Sequence, residues 1–411
     1  MEMATTTTTT TLTSLPEEIL LEITKEVCCC CSEKGNGKGN NGGGGFNSYY
    51  YCYYLSRTNH HHHRRHPAAT LRLINRRFAR ISRPFLFRHL EASRMAAYLR
   101  LHESQPDIAG LTQTVSISGP IGGSSTQSLL PLLTNLKTLH ISRASLAAPM
   151  AALPTLQTLH CTDVTFSTVL QLLQAAPHLK TARIAKCAAP AAADDDDDDD
   201  DEDEREEVFS AARPNASLRS MTLLSPQLGD HELQRLLRAA PRLEALHYHS
   251  LSDEFHGLAF GRALQHLHGT LRTLEVSVDR WYPARHALGS LRAFGALRAL
   301  KMDYCWLVDE ALRGEGSLGR ILPAAAAPLQ CLALSFYGDG VGAVGAFLRD
   351  LLAVVEERRC CGLRRVEVTG FRIRELQART LWAACEAACA QARVALVYDE
   401  LAFAHAADVP W

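Results

Sequence analysis

Cysteine and histidine are the side chains in this sequence best suited to hold a metal ion, and both occur in runs. Cys28 to Cys31 is one, and His60 to His63, followed by Arg64, Arg65 and His66, is the other. A structural zinc site needs its thiolates and imidazoles at turn-compatible spacings such as Cys-x-x-Cys, so that four ligands close around one ion. Homopolymeric runs hold neither that spacing nor a scaffold, so no cofactor is assigned to them. Gly35 to Gly45 offers glycine and lysine, but no strand precedes it and no Gly-Lys-Ser/Thr ending follows, so it is not read as a phosphate loop. No nucleophile elbow, His-Glu-x-x-His or Cys-His catalytic signature occurs, and the expectation is a protein that is not an enzyme.

Charge is the next chemistry on offer. The formal net charge of -1 hides a gathered distribution: Asp194 to Asp201, Glu202, Asp203, Glu204, Glu206 and Glu207 are thirteen acids around the single Arg205. The remainder of the chain is therefore basic. The tract reads as a solvated loop near 188–208, with binding to basic surfaces as its functional alternative. The cysteines number 13, an odd count spread irregularly. With no signal-like segment at Met1 to Thr13, this predicts free thiols in a reducing compartment, cytoplasmic or nuclear. No stretch approaches the ~20 uninterrupted apolar residues of a membrane helix, and no membrane partner is expected.

The elements that must position any site are written in a repeat. Leu136-Lys137-Thr138-Leu139-His140-Ile141 has the pattern Leu-x-x-Leu-x-apolar, and related units start at Leu156, Leu179, Leu218, Leu243, Leu271, Leu297, Leu329 and Leu363. Apolar residues two apart at the end of each unit are strand periodicity with one buried face. Recurrence at 20 to 39 residues, mostly near the period of leucine-rich repeats, is the signature of a solenoid. Val115-Ser116-Ile117 could supply a first strand, and Val394, Leu396 and Tyr398 alternate as a last, capping one. Leu172 to Leu179 matches Leu236 to Leu243, each a short helix ending at Ala-Ala-Pro before the next strand. Residues 91–107 and 373–392 read as helices. The fold class expected is α/β, a leucine-rich-repeat solenoid of horseshoe form over 91–411, preceded by a small all-α module at 14–90.

That module has two blocks. After a disordered 1–13, Ser14 and Glu17 have capping-box spacing, Pro16 sits in the first turn, and Leu15, Ile19, Ile23 and Val27 share one helical face. A low-complexity insertion at 28–67 cannot bury enough apolar surface to order itself. Helical periodicity resumes at Ala68, with Leu71, Ile74, Phe78 and Ile81 on one face, and Pro84 is expected to end the helix.

Leu15-Pro16-Glu17-Glu18-Ile19-Leu20-Leu21-Glu22-Ile23 resembles the opening helix of an F-box, and Leu71 to Ile81 resembles its second helix. Arg83-Pro84-Phe85-Leu86-Phe87-Arg88-His89-Leu90 is similar to the segment that follows the box in fungal F-box proteins with leucine-rich repeats. The departure is the insertion of about 40 residues where the family has a short turn; closure entropy grows slowly with loop length, so it need not undo the helix pair. The resemblance implies a non-catalytic subunit of a Skp/cullin/F-box ubiquitin ligase. Leu15, Pro16, Ile19, Leu20, Ile23, Leu71, Ile74 and Phe78 would dock on a Skp-type adaptor and, through it, a cullin-RING ligase, while the repeats hold a protein target. A helix pair that only caps the solenoid, in a scaffold without a ligase, is the alternative.

In each repeat the residues flanking the second leucine face away from the core. Among them His140, His160, Arg183, His247 and Lys301 are the candidate target-binding side chains, suited to an acidic partner, with plain solvated strand positions as the other reading. His140 and His160 alone lack a third metal ligand. Nucleic acid is not expected: the basic helix Arg72 to Arg88 is its one candidate, and the apolar pattern accounts for that helix better.

Overall fold

The computed structural model describes residues 16–21, 76–119, 129–143, 150–188, 214–250, 257–278, 287–307, 317–323, 329–335, 341–356, 362–369 and 376–399. The threonine run, the insertion at 28–67 and the acidic tract lie outside them. The architecture is α/β. Among the described residues twelve strands follow one another in chain order across one sheet. They are β1 His89–Glu91, β2 Thr114–Ser118, β3 Thr138–Ser142, β4 Thr158–Thr162, β5 Thr181–Ala185, β6 Ser220–Leu224, β7 Ala245–Ser250, β8 Thr273–Val278, β9 Ala299–Asp303, β10 Cys331–Ser335, β11 Arg365–Thr369 and β12 Ala395–Asp399. From β3 to β12 every neighbouring pair is parallel.

The chain divides into two compact units, Met1–Val115 and Ser116–Trp411. In the second, the repeat sets the register. Leu139 lies opposite Leu159, Leu159 opposite Ala182, Ala182 opposite Met221 and Met221 opposite Leu246. The first leucine of each unit, the second apolar residue and the third form three buried ladders under the sheet; Leu156, Leu159 and Leu218 are fully enclosed. A parallel strand cannot turn straight into its neighbour, so the chain must cross beneath the sheet between strands. Helices make several of those crossings: Phe166–Ala175 between β4 and β5, Asp230–Arg238 between β6 and β7, Gly257–Leu264 between β7 and β8, and Val341–Glu356 between β10 and β11. Leucines at 170, 172, 173, 233, 236 and 237 bury the inner faces of the first two. Both of those helices end at the Ala-Ala-Pro read from the sequence, and the first is capped by the Thr165 hydroxyl, which accepts from the Thr168 amide at 3.4 Å.

Two backbone devices lie beyond the leucine pattern. Gly119, Arg143, Asp163, Lys186 and Ser225 each follow a strand at the same point of the repeat, all with positive φ. Their amides donate to Ser142, Thr162, Ala185, Leu224 and His249 of the next strand, at 2.6–3.0 Å. A left-handed residue other than glycine costs ~1–2 kcal/mol, so four such residues in line are held by the register of the sheet. The second device is Asn215, which sits three residues before Leu218 where other units carry buried Leu133, Leu153, Ala176 and Ala240. Its amide group donates to the carbonyls of Leu173 at 3.0 Å and Ala176 at 2.7 Å, and its Oδ1 accepts from the Ser217 amide. Asn215 thus ties the C-terminal end of helix Phe166–Ala175 to the start of the next repeat.

In the first unit a helical turn at 17–21 packs on helix Arg76–Arg88 through Leu20 and Ile81, with Leu21 beside them. Arg80 donates to Glu17 at 2.7 Å across this contact. Pro84 does not end the helix as expected: the helix runs on to Arg88 with Pro84 inside it. Contacts on both sides of the proline hold that last turn. The Thr112 hydroxyl donates to the Phe87 carbonyl at 2.9 Å, the Phe87 ring meets Tyr98 edge-on at 6.2 Å, and Arg83 reaches Gln105 and Asp107. Tertiary contacts here outweigh a local penalty of ~3 kcal/mol. The helix expected at 91–107 is narrower, Met95–Ser104, and Pro106 opens a tighter 3₁₀ segment to Leu111. At the other end of the chain, the helix expected at 373–392 is present as Leu376–Ala392, and β12 carries the expected alternation.

Candidate functional site

The sheet face opposite the buried ladders carries the candidate target-binding side chains in a single line. Parallel pairing puts His140 of β3 opposite His160 of β4, His160 opposite Arg183 of β5, Arg183 opposite Thr222 of β6, and Thr222 opposite His247 of β7. The line continues through Glu275 of β8 to Lys301 of β9. All five candidates therefore share one row, because every one is the residue after the second core position of its repeat and the register never slips. A slip of one residue would turn each of them to the other face.

The row has two clusters of different character. At one end the His140 and His160 rings stack, with centroids 4.5 Å apart and planes 16° from parallel. Burial, helped by the charges of His140 and Arg183, pulls the His160 pKa down to about 4. It is neutral at pH 7, so its contribution there is a flat aromatic surface beside the Arg183 guanidinium. At the other end Glu275 is bound on both oxygens. His247 Nδ1 donates to Oε2 at 2.8 Å, and Lys301 Nζ donates to Oε1 at 2.8 Å. Burial pushes the Glu275 carboxyl upward, but the hydrogen bonds and charges of His247 and Lys301 outweigh it and hold the pKa at about 2. His247 and Lys301 are thus committed to Glu275, a residue whose importance the sequence did not signal, because it is one more polar position in the repeat.

These two groups make a prediction about pH. The folded His160 holds its proton less well than the unfolded chain, whose imidazole titrates near 6.5. Between about 6.5 and about 4 the unfolded state binds more protons, so stability falls as pH falls through that window. Glu275, depressed from 4.5 to about 2, contributes stability that is present above 4.5 and lost on acidification towards 2. Thermal unfolding followed at pH 7.0 and pH 4.8 should show a drop in midpoint that is smaller in His160→Gln than in the parent chain. An equal drop in both would exclude His160 as the source.

Among the described residues no three His, Cys, Asp or Glu side chains are grouped to hold a metal ion. Cys161, Cys187, Cys385 and Cys389 are free and buried. Burial, helped at Cys385 by neighbouring charges, pushes the thiols of Cys187 and Cys385 up to about 12, so both are protonated at neutral pH. Cys385 donates to the Leu348 carbonyl at 3.3 Å, which makes it a packing residue of the helix pair Val341–Glu356 and Leu376–Ala392. No described helix is long and apolar enough to cross a membrane.

The eight candidate adaptor-binding residues belong to the first unit. Leu15, Ile23, Leu71 and Ile74 lie outside the described residues, and Phe78 lies on helix Arg76–Arg88. Pro16 is exposed and Ile19 is 47% exposed, whereas Leu20 is 0% exposed. Leu20 and Ile19 are neighbours on the turn at 17–21 with opposite uses: Leu20 closes the contact with Ile81, and Ile19 presents an apolar side chain to the outside. Compared with known protein families the chain matches none, and a comparison with curated proteins likewise finds no match.

Proposed function

We propose that this chain is the non-catalytic target-recognition subunit of a Skp/cullin/F-box-type ubiquitin ligase. In this reading the helical segments at the start of the chain are an F-box that docks on a Skp-type adaptor. The parallel α/β repeat array is a leucine-rich-repeat solenoid that holds the target. The chain does no chemistry itself; it raises the concentration of the target near the ubiquitin-conjugating enzyme.

The observation that carries the reading is the contact between Leu20 and Ile81, reinforced by Arg80 and Glu17. It joins the two sequence blocks that resemble an F-box although 63 residues separate Glu17 from Arg80. It also leaves Pro16 and Ile19 outward, where a partner helix would find them. The competing reading is a repeat scaffold whose helix pair is only a cap. The complete burial of Leu20 favours it, since that leucine serves the chain's own core.

Ile19 separates the two because it is exposed and its substitution leaves the Leu20 contact whole. Co-precipitation with a Skp-type adaptor should retain the parent chain and Leu258→Asp, a change at an exposed leucine of the second unit. Ile19→Asp should lose at least tenfold in captured adaptor, because a carboxylate at an apolar interface is left unpaired. No capture by the parent chain sinks the ligase reading and leaves the scaffold, whereas equal capture by Ile19→Asp moves the docking surface away from Ile19.

A further inference from the structure

A second line of side chains runs along the sheet one position after the first leucine of each repeat. It is Lys137, Gln157, Lys180, Arg219, Glu244, Arg272, Arg298, Gln330 and Arg364. An unbroken backbone ladder fixes their order: the amide of each donates to the carbonyl of the one before, from Gln157 to Lys137 at 2.9 Å through to Arg364 to Gln330 at 2.8 Å. Neighbouring strands are ~4.8 Å apart, so the eight steps from Lys137 to Arg364 span about 38 Å. Six of the nine are cations and one is an acid.

Among the described residues their charges are poorly balanced. Arg219 and Arg272 flank Glu244 and reach it at 3.6 Å and 3.4 Å. Lys137, Lys180, Arg298 and Arg364 are exposed. The ladder nevertheless sets Lys180 beside Arg219 and Arg272 beside Arg298, and like charges directly opposite one another destabilise a sheet. Departures of this kind from local rules are expected where a surface serves binding.

We propose that this row is a docking surface for an extended acidic polypeptide, a segment dense in aspartate and glutamate, bound by its carboxylates. The anion the row already holds is a carboxylate, Glu244, gripped from both sides by arginine. None of the nine side chains is aromatic, so bases would find no stacking platform here. Gln157 and Gln330 break the cation run with amides that can pair a peptide backbone. At ~3.3 Å per residue an extended segment of about 12 residues matches the ladder. The inference does not rest on the ligase reading, since it concerns only the residues that lead into strands β3 to β11.

The test uses the full chain and a fluorescein-labelled peptide of six Asp-Glu repeats, read by anisotropy. Residues 194–207 carry thirteen acids of the same chemistry as the probe, so a second full chain with those acids changed to Asn and Gln is titrated beside the first. Binding by either chain is expected, weakening as salt screens exposed charges. The row variant Lys180→Ser/Arg298→Ser/Arg364→Ser should weaken it at least tenfold. The control Arg238→Ser/Arg262→Ser/Arg320→Ser, which removes the same charge from exposed helix positions, should change it less than threefold. The proposal is overturned if neither chain binds, if the two triple variants weaken binding equally, or if a single-stranded twelve-nucleotide probe binds more tightly than the peptide.

Discussion

Leu159→Ala should lower the thermal unfolding midpoint by about 10 °C, the largest loss expected from any single side chain in the sheet. Leu159 is fully buried in β4, between Leu139 of β3 and Ala182 of β5. Leucine-to-alanine changes in cores cost ~3–5 kcal/mol, more where the cavity cannot collapse. Ala182 is already the smallest residue of its ladder, so the variant would set two alanines side by side and leave Leu139 as the one large ladder neighbour beside the gap. At ~2–4 °C per kcal/mol for a unit of this size, that loss corresponds to the stated shift. Scanning calorimetry of the parent and variant measures it. A shift under 2 °C would mean that the sheet closes around the missing side chain, and the tight register described for β3 to β5 would be wrong.

Asn215→Leu is the second, and its sign is what matters. Read as a repeat, the sequence says the change is favourable, because the equivalent positions hold Leu133 and Leu153. The hydrogen bonds say otherwise. Asn215 serves the carbonyls of Leu173 and Ala176, and leucine would leave the buried helix end without those two donors. An unsatisfied buried polar group costs ~1–3 kcal/mol, so a net loss of about 2 kcal/mol is expected after the gain from the added apolar surface. Urea unfolding should show a lower midpoint at unchanged slope. A higher midpoint would show that the position follows the repeat and that the asparagine's bonds carry little.

The repeat made the sheet legible in the sequence. A Leu-x-x-Leu-x-apolar unit fixes which face is buried, and burial fixes the register, so the shared row of His140, His160, Arg183, His247 and Lys301 followed from counting. What escaped the count depends on partners distant in sequence. Glu275 reads as filler until β8 lies between His247 and Lys301. The left-handed residues at 143, 163, 186 and 225 carry no glycine to announce them, since the sheet imposes their conformation. Pro84 reads as a helix end because the contacts that carry the helix past it come from Thr112 and Tyr98, further along the chain. The line from Lys137 to Arg364 was hidden in the variable positions of the motif, where charge is ordinary until the ladder lines it up.

Whether the first unit recruits a ligase is decided most directly by mixing purified full-length chain with a purified Skp-type adaptor and following their elution by size-exclusion chromatography with light scattering. The proposed function predicts a single 1:1 complex from the parent chain and separate peaks from Ile19→Asp. Separate peaks from the parent chain itself, at concentrations where it remains folded, would contradict it.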